Sequence, residues 1–217
     1  NVSNEHSVPR ADQDAFALQS QERAAAAMSE GRFDSQIAPI EVKVKRDMVP
    51  FDTDEHPKAT TAEALAGLRP VFAKEGTVTA GNASGINDGA AALVFARSEA
   101  AESAHSGGRP EVMGIGPIPA VQSLMKRIDL DVSDFDVVES NEAFAAQAIA
   151  VNRGLRLNES KVNPNGGAIA LGHPVGATGA ILTVKALYEL ERIGGGKALI
   201  TMCIGGGQGI ALAIERL

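Results

Sequence analysis

The sequence predicts an α/β fold in which a mixed sheet is covered by helices. Three observations predict it. Strand and helix signals alternate through the second half of the chain, the pattern of an α/β domain. Aromatic residues make up only 4% of the 217 residues, whereas 23 glycines and many alanines suit close packing of helices on a sheet. Finally, polar clusters at Asn141, His173 and Cys203 each stand where a strand-like run ends. Ligands and catalytic groups gather at such crossings in open α/β sheets.

Taken in order, residues 7–30 read as an amphipathic helix. Pro9 suits its first turn, Gly31 its end, and the alanines at 24–27 favour helix. Phe16, Leu18 and Met28 are its expected apolar anchors, with Asp12, Asp14 and Glu22 on a solvated face. Residues 37–49 alternate Ile40, Val42 and Val44 with Glu41, Lys43 and Lys45, as in a half-exposed strand. An acidic loop over 51–58 contains His56, read as a surface residue because no second ligand stands at metal spacing. Thr60 and Glu63 have the spacing of a capping box, for a short helix ending near Leu68.

Residues 77–85 read as a strand running into a loop of small residues. Asn87-Asp88-Gly89 then turns the chain into a second strand at 90–96. The boundary between two domains is placed at 99–110, where an Ala-rich helix gives way to Gly107-Gly108-Arg109-Pro110. That division leaves residues 1–108 as one part and 109–217 as the other. A rigid Gly/Pro stretch at 113–119 leads into a helix over 120–128. Strand signals at 135–139, at Val162 and at 198–203 alternate with helix signals at 144–153 and 180–193. A final apolar run over 210–214 follows too closely for a crossover helix, so it should pair antiparallel with 198–203.

Composition bounds the function. A net charge of −7 argues against a nucleic-acid surface, and no long apolar run or signal-peptide pattern is present. One cysteine excludes an internal disulfide and fits a reducing compartment, hence a cytoplasmic protein. Hydrophobic residues at 44% supply a core. The chain opens at Asn1 in a helix-like segment, which suggests a part upstream of it.

Three motifs carry the chemistry. Residues 163–180 set five glycines around His173, just before a helix-like run. Imidazole is the side chain best suited to proton traffic near neutral pH. Cys203 ends a strand-like run beside Gly205, Gly206 and Gly207, which leave backbone N–H groups uncovered; the plainer reading is a buried small hydrophobe. Asn141 follows a strand and precedes a helix, and could simply cap that helix. A thiol serves as a base when N–H dipoles or a histidine lower its pKa.

In order and spacing these motifs resemble those of the thiolase family. Asn141-Glu142-Ala143-Phe144, Asn165-Gly166-Gly167-Ala168 through Gly172-His173-Pro174, and Cys203-Ile204-Gly205-Gly206-Gly207 look like its three C-terminal signatures. Thr79 to Gly85 resembles its coenzyme A loop. The resemblance implies a thiolase-like fold, layered αβαβα in the complete protein. It also implies a reversible Claisen exchange between two acyl-CoA molecules and a 3-ketoacyl-CoA plus free CoA.

By the same resemblance, His173 would activate a nucleophilic cysteine and help hold the thioester oxygen, and Cys203 would take and return the substrate's α-proton. Asn141 would hold a water in one oxyanion hole, and the Gly205 N–H would serve another. Ser84, Ala80 and Phe72 would line the pantetheine channel, Lys58 would stand near the CoA phosphates, and Ala143 and Phe144 would shape the acyl pocket. Coenzyme A would be substrate and product. No cofactor would be covalently bound, no metal held, and neither nucleic acid nor membrane engaged; the protein would be a homodimer or homotetramer.

The family's nucleophilic cysteine lies upstream of the segment that this sequence matches, and a second family histidine, placed over the acyl pocket, is also absent, so these residues alone should not turn over. The resemblance also implies a shortened stretch between Glu102 and Val112, with the first strand of the C-terminal domain missing. Two other readings stay open. One is an acyl-CoA-binding module without catalysis. The other is a subunit completed by a separate N-terminal chain.

Overall fold

A computed structural model describes residues 1–94 and 101–216. Its centre is a four-stranded mixed sheet of β3 (Ala101–Gly107), β4 (Val137–Ser140), β5 (Lys197–Ile204) and β6 (Gln208–Glu215), in the order β3-β6-β5-β4. β4 and β5 run parallel, and the other pairs are antiparallel, as expected for the last two strands. The parallel pair requires a crossover. Helices α5 (Ala145–Leu155), α6 (Ala168–Leu171) and α7 (Thr178–Ile193) supply it.

Alternation along the strands divides the core. Val138, Leu199, Ala211 and Ala213 pack against Val121 and Leu124 of α4 (Pro117–Ile128) and against Val151 of α5. The opposite face carries Val137, Ala198, Ile200 and Ile214, which pack against Leu182, Ala186 and Leu190 of α7. One helical layer per face follows from a strand period of two.

The strand β3 corrects two expectations. It occupies the sheet edge where an Ala-rich helix end is expected, and the first strand of this half, expected to be missing, is present. Its register with β6 runs from Ala101 opposite Ile214 to Gly107 opposite Gln208.

At the other end of the chain, α1 (Val2–Glu5) precedes α2 (Arg10–Ser29), with Pro9 at the N-cap and Gly31 in the left-handed region (φ +67°) after the end. The anchors of α2 differ from those expected. Ala17, Ala24 and Ala27 are buried, while Phe16, Leu18 and Met28 are half-buried. Ala17 packs against Ile169 of α6 and Ala145 of α5, and Phe16 and Leu18 cover the same cluster from its edge. Asp14 is buried rather than solvated, because Arg10 Nε at 2.7 Å and Asn82 Nδ2 at 2.9 Å both donate to it.

The expected single strand at 37–49 is a hairpin, β1 (Ile40–Val44) and β2 (Asp47–Phe51), that turns through Lys45 at φ +59°. Nothing in its alternation marks that break. The short helix α3 (Ala62–Ala66) is capped by Thr61, whose hydroxyl accepts from the Ala64 N–H at 3.2 Å, one residue later than the Thr60–Glu63 spacing suggests. Residues 77–79 and 90–94 form no regular strand, since among the described residues no neighbouring strand offers them a ladder. Positions 95 and 96 of the second expected strand lie outside the described residues. No described helix is long and apolar enough to cross a membrane.

Close backbone approaches lock the sheet's upper end. Gly209 lies opposite Cys203, and a β-carbon there would collide with the Gly116 carbonyl. Gly209→Ala should therefore lower stability by about 2 kcal/mol or more. Gly107→Ala, whose β-carbon meets nothing within 4 Å, should stay within about 0.5 kcal/mol. Urea unfolding midpoints at unchanged slope check both.

Candidate active site

The site is built where β4 ends beside the last residues of β5 before its turn. The Asn141 N–H donates to the Thr201 carbonyl at 2.9 Å, which extends the parallel ladder by one bond. Asn163 brackets the last strand residue. Its Oδ1 accepts from the Ser140 N–H at 2.9 Å and its Nδ2 donates to the Ser140 carbonyl at 2.8 Å. Asn163 itself sits at φ +44°, a region that Asn tolerates better than most residues.

Beneath Asn141 lies Glu142, 2% exposed. Burial pushes its carboxyl up, and three donors oppose that shift. They are the Ser20 hydroxyl at 2.7 Å, Asn163 Nδ2 at 2.8 Å and the Ile169 N–H at 3.2 Å. Every partner donates, so the ionised carboxylate is the form that the cavity satisfies. Gly167 is explained here, because a β-carbon would enter the Glu142 carboxylate. On the α7 side, Lys185 Nζ donates to Glu139 at 2.8 Å and to the Gly166 carbonyl at 2.6 Å. Burial pushes the Glu139 carboxyl up, while Lys185 pulls it back.

His173 follows Gly172, which sits at φ +92° with its Cα against the Asn87 amide, leaving no room for a side chain. The His173 N–H donates to the Gly85 carbonyl at 3.1 Å and to Asn87 Oδ1 at 3.3 Å. Its ring is held at both nitrogens. Nδ1 lies 2.7 Å from Thr178 Oγ1, and Nε2 lies 3.4 Å from Asn141 Nδ2. Burial lowers the imidazole pKa, and the N-terminus of α7 acts in the same direction. The ring is therefore a neutral base at pH 7.

Cys203 stands two residues beyond Thr201 on β5, roughly 7 Å along the strand. It is buried, and its direct partner on β6 is Gly209. Burial pushes its thiol up, opposite to the lowering that a resting thiolate needs. Gly205 lies in the exposed turn that follows, with nothing within 4 Å of its β-carbon position.

Four of the other expected site residues form two pairs. The Ser84 N–H and hydroxyl both donate to the Ala143 carbonyl, at 3.1 and 3.2 Å. Phe72, 77% exposed, meets Phe144 edge to face at 6.4 Å. Ala80 is exposed near this loop. Lys58 is exposed too, and its N–H donates to Gln21 Oε1 at 2.9 Å.

Several supporting residues escape the sequence reading. Asn87 is read there as a turn residue, and His56 as surface. His56 is half-buried, with Nδ1 at 3.3 Å from Asn87 Nδ2. Ser20 and Thr178 act through single hydroxyl oxygens, and Asn163 through its amide, none of which a spacing rule flags. Thr178, five residues after His173, carries the one available signal, a hydroxyl at the start of the helix that the histidine precedes.

With this geometry in hand, the chain can be set beside known proteins. The family profiles "Thiolase, N-terminal domain" and "Thiolase, C-terminal domain" match residues 1–99 and 94–216. The chain is 52% identical to beta-ketoadipyl-CoA thiolase of Pseudomonas knackmussii and 53% identical to beta-ketothiolase BktB of Cupriavidus necator. All of this chain is covered in each alignment, with 58% and 59% of those proteins. Among solved structures, acetyl-CoA acetyltransferase of Bacillus anthracis superposes with a TM-score of 0.94 at 44% identity, covering all of this chain and 58% of that one. Human mitochondrial 3-ketoacyl-CoA thiolase in complex with CoA superposes with a TM-score of 0.89 at 43% identity, covering all of this chain and 57% of that one. The chain thus spans a little under three-fifths of the length of these relatives.

Two outcomes test the site's physics. Glu142→Gln turns an amide donor toward groups that already donate, and should cost about 3 kcal/mol. The exposed Glu22→Gln should cost under about 0.5 kcal/mol; urea unfolding measures both. Folding lowers the His173 pKa below 6.5, so as pH falls through that value the unfolded chain takes the proton first and stability drops. Unfolding midpoints between pH 7.5 and 5 should fall less steeply for His173→Asn.

Proposed function

This chain belongs to the thiolase family, and from that premise we propose that the complete protein is an acyl-CoA acyltransferase. Its reaction is the reversible Claisen condensation and thiolysis of a 3-ketoacyl-CoA, with acetoacetyl-CoA or another short-chain thioester as substrate. The observation that carries this reading is the contact of His173 Nε2 with Asn141 Nδ2 at 3.4 Å, with Cys203 at the end of the adjacent strand.

The chemistry asks for those groups. Removing the α-proton of a thioester needs a positioned base and stabilisation of the enolate oxygen. Cys203 moves that proton. Asn141 holds a water in one oxyanion hole, where His173, once it carries a proton on Nε2, helps hold the thioester oxygen; the Gly205 N–H serves a second hole. His173, neutral with a free lone pair, takes the proton of the nucleophilic thiol. That thiol is a second cysteine, which lies outside these residues because Cys203 is the single cysteine here.

Coenzyme A enters as substrate and leaves as product, with no covalently bound cofactor. Its pantetheine runs along Ser84, Ala80 and Phe72, its phosphates lie toward Lys58, and the acyl group reaches Ala143 and Phe144. The exposed aromatic edge of Phe72 over Phe144 supports this path. We further propose a homodimer or homotetramer in a reducing compartment such as the cytoplasm.

Calorimetric titration of this chain with CoA tests the binding half of the proposal. Saturable binding is expected, weakened about tenfold by Phe72→Ala, roughly 1.4 kcal/mol. The catalytic half is tested with acetoacetyl-CoA and CoA on the complete polypeptide. Consumption of the 3-ketoacyl thioester is expected, with His173→Ala and Cys203→Ser each slower by about a hundredfold or more. A complete polypeptide that leaves acetoacetyl-CoA intact would refute the assignment.

A further inference from the structure

The ring of His173 has two nitrogens and, when neutral, one proton; which nitrogen holds it decides what the histidine can do. Nδ1 faces a single side-chain partner, Thr178 Oγ1 at 2.7 Å. That hydroxyl also lies 2.8 Å from the Pro174 carbonyl, an acceptor only. A threonine in the first turn of a helix commonly bonds back to a carbonyl four residues earlier. The hydroxyl hydrogen is thereby committed to Pro174, so the oxygen can only accept from the ring.

At the other nitrogen the neighbour is a donor, the Asn141 amide nitrogen at 3.4 Å from Nε2. That longer contact is compatible with a lone pair on Nε2, and the 2.7 Å contact at Nδ1 is the one that decides the tautomer. Thr178 is 2% exposed, so water does not compete for its oxygen.

We propose that Thr178 sets the tautomer of His173, holding the proton on Nδ1 and leaving the lone pair on Nε2 beside Asn141. Thr178 is a positioning residue and touches no reacting group. Its catalytic meaning rests on the proposed thiolase reading, in which Nε2 must accept a thiol proton. Its physical content does not, and can be measured without substrate.

The test is long-range ¹H–¹⁵N correlation of the ¹⁵N-labelled chain at pH 8, with His173→Asn identifying its signals among the four histidines. The expected pattern is a protonated-type Nδ1 and an unprotonated-type Nε2, well separated. Thr178→Val keeps the shape and removes the acceptor, so the two signals should converge or exchange positions. Thr178→Ser should restore the separation, which a purely structural role for the methyl group would not do. A wild-type signal with the proton on Nε2, or averaged between the two forms, overturns the proposal even where the valine variant does not fold. An unchanged pattern in Thr178→Val overturns it as well. Failure of the complete enzyme to transfer acyl groups would leave this measurement intact, so the two proposals fall separately.

Discussion

The carboxylate of Glu142 is the constraint on which the rest of the site depends. An ionised carboxyl out of water costs several kcal/mol unless donors surround it. Here the donors come from segments far apart in the chain: Ser20 on α2, Asn163 in the loop after the Val162 bridge, and the first turn of α6 through Ile169. None can move without leaving the charge exposed to an apolar interior. The histidine loop is the continuation of α6, so the group that anchors α6 also fixes where Gly172 and His173 begin. The cost of burying one charge is what makes the geometry above it single-valued.

A second buried charge acts from the other face of the same strand. Glu139 and Ser140 alternate, so Glu139 turns toward α7 while Ser140 turns toward α5. Lys185 joins Glu139 to the Gly166 carbonyl. The turn from Asn163 to Gly167 is therefore gripped twice, by Glu142 on one side and Lys185 on the other. This explains why two adjacent glycines stand there for different reasons. Gly166 needs its positive φ and close contact with α2, whereas Gly167 needs its missing β-carbon against Glu142.

Much of this was legible in the sequence, and the rest was hidden for identifiable reasons. The α5, α7, β5 and β6 segments were readable because apolar periodicity and the glycine turn at 205–207 point the same way. The hairpin at 40–51 was not, because its turn uses Lys45 in a left-handed conformation rather than the Gly or Asn that usually marks one. Residues 77–79 and 90–94 carry strand-like composition without a ladder, since composition cannot say whether a partner is at hand. In the site, Asn141, His173 and Cys203 stood out through their motifs. Asp14, Asn87, His56 and Thr178 did not, because each matters through contacts set by tertiary structure rather than by a motif.

The raised thiol of Cys203 has to be reconciled with the proposed proton transfer, and magnitudes show that it can be. Each unit by which burial raises a thiol's pKa lowers its thiolate population about tenfold. The thiolate that remains is a stronger base, and a Brønsted slope near 0.5 returns roughly a factor of three. The net loss per unit is thus about threefold, small beside the hundredfold or more that positioned acid–base groups contribute. In the thiolysis direction the balance reverses, because a protonated Cys203 is ready to give its proton to the departing carbanion. In the proposed reaction, a neutral imidazole at His173 and a protonated thiol at Cys203 make a resting state prepared for cleavage. Condensation from the same state needs the thiol proton to leave first, and that is the step which the raised pKa of Cys203 slows.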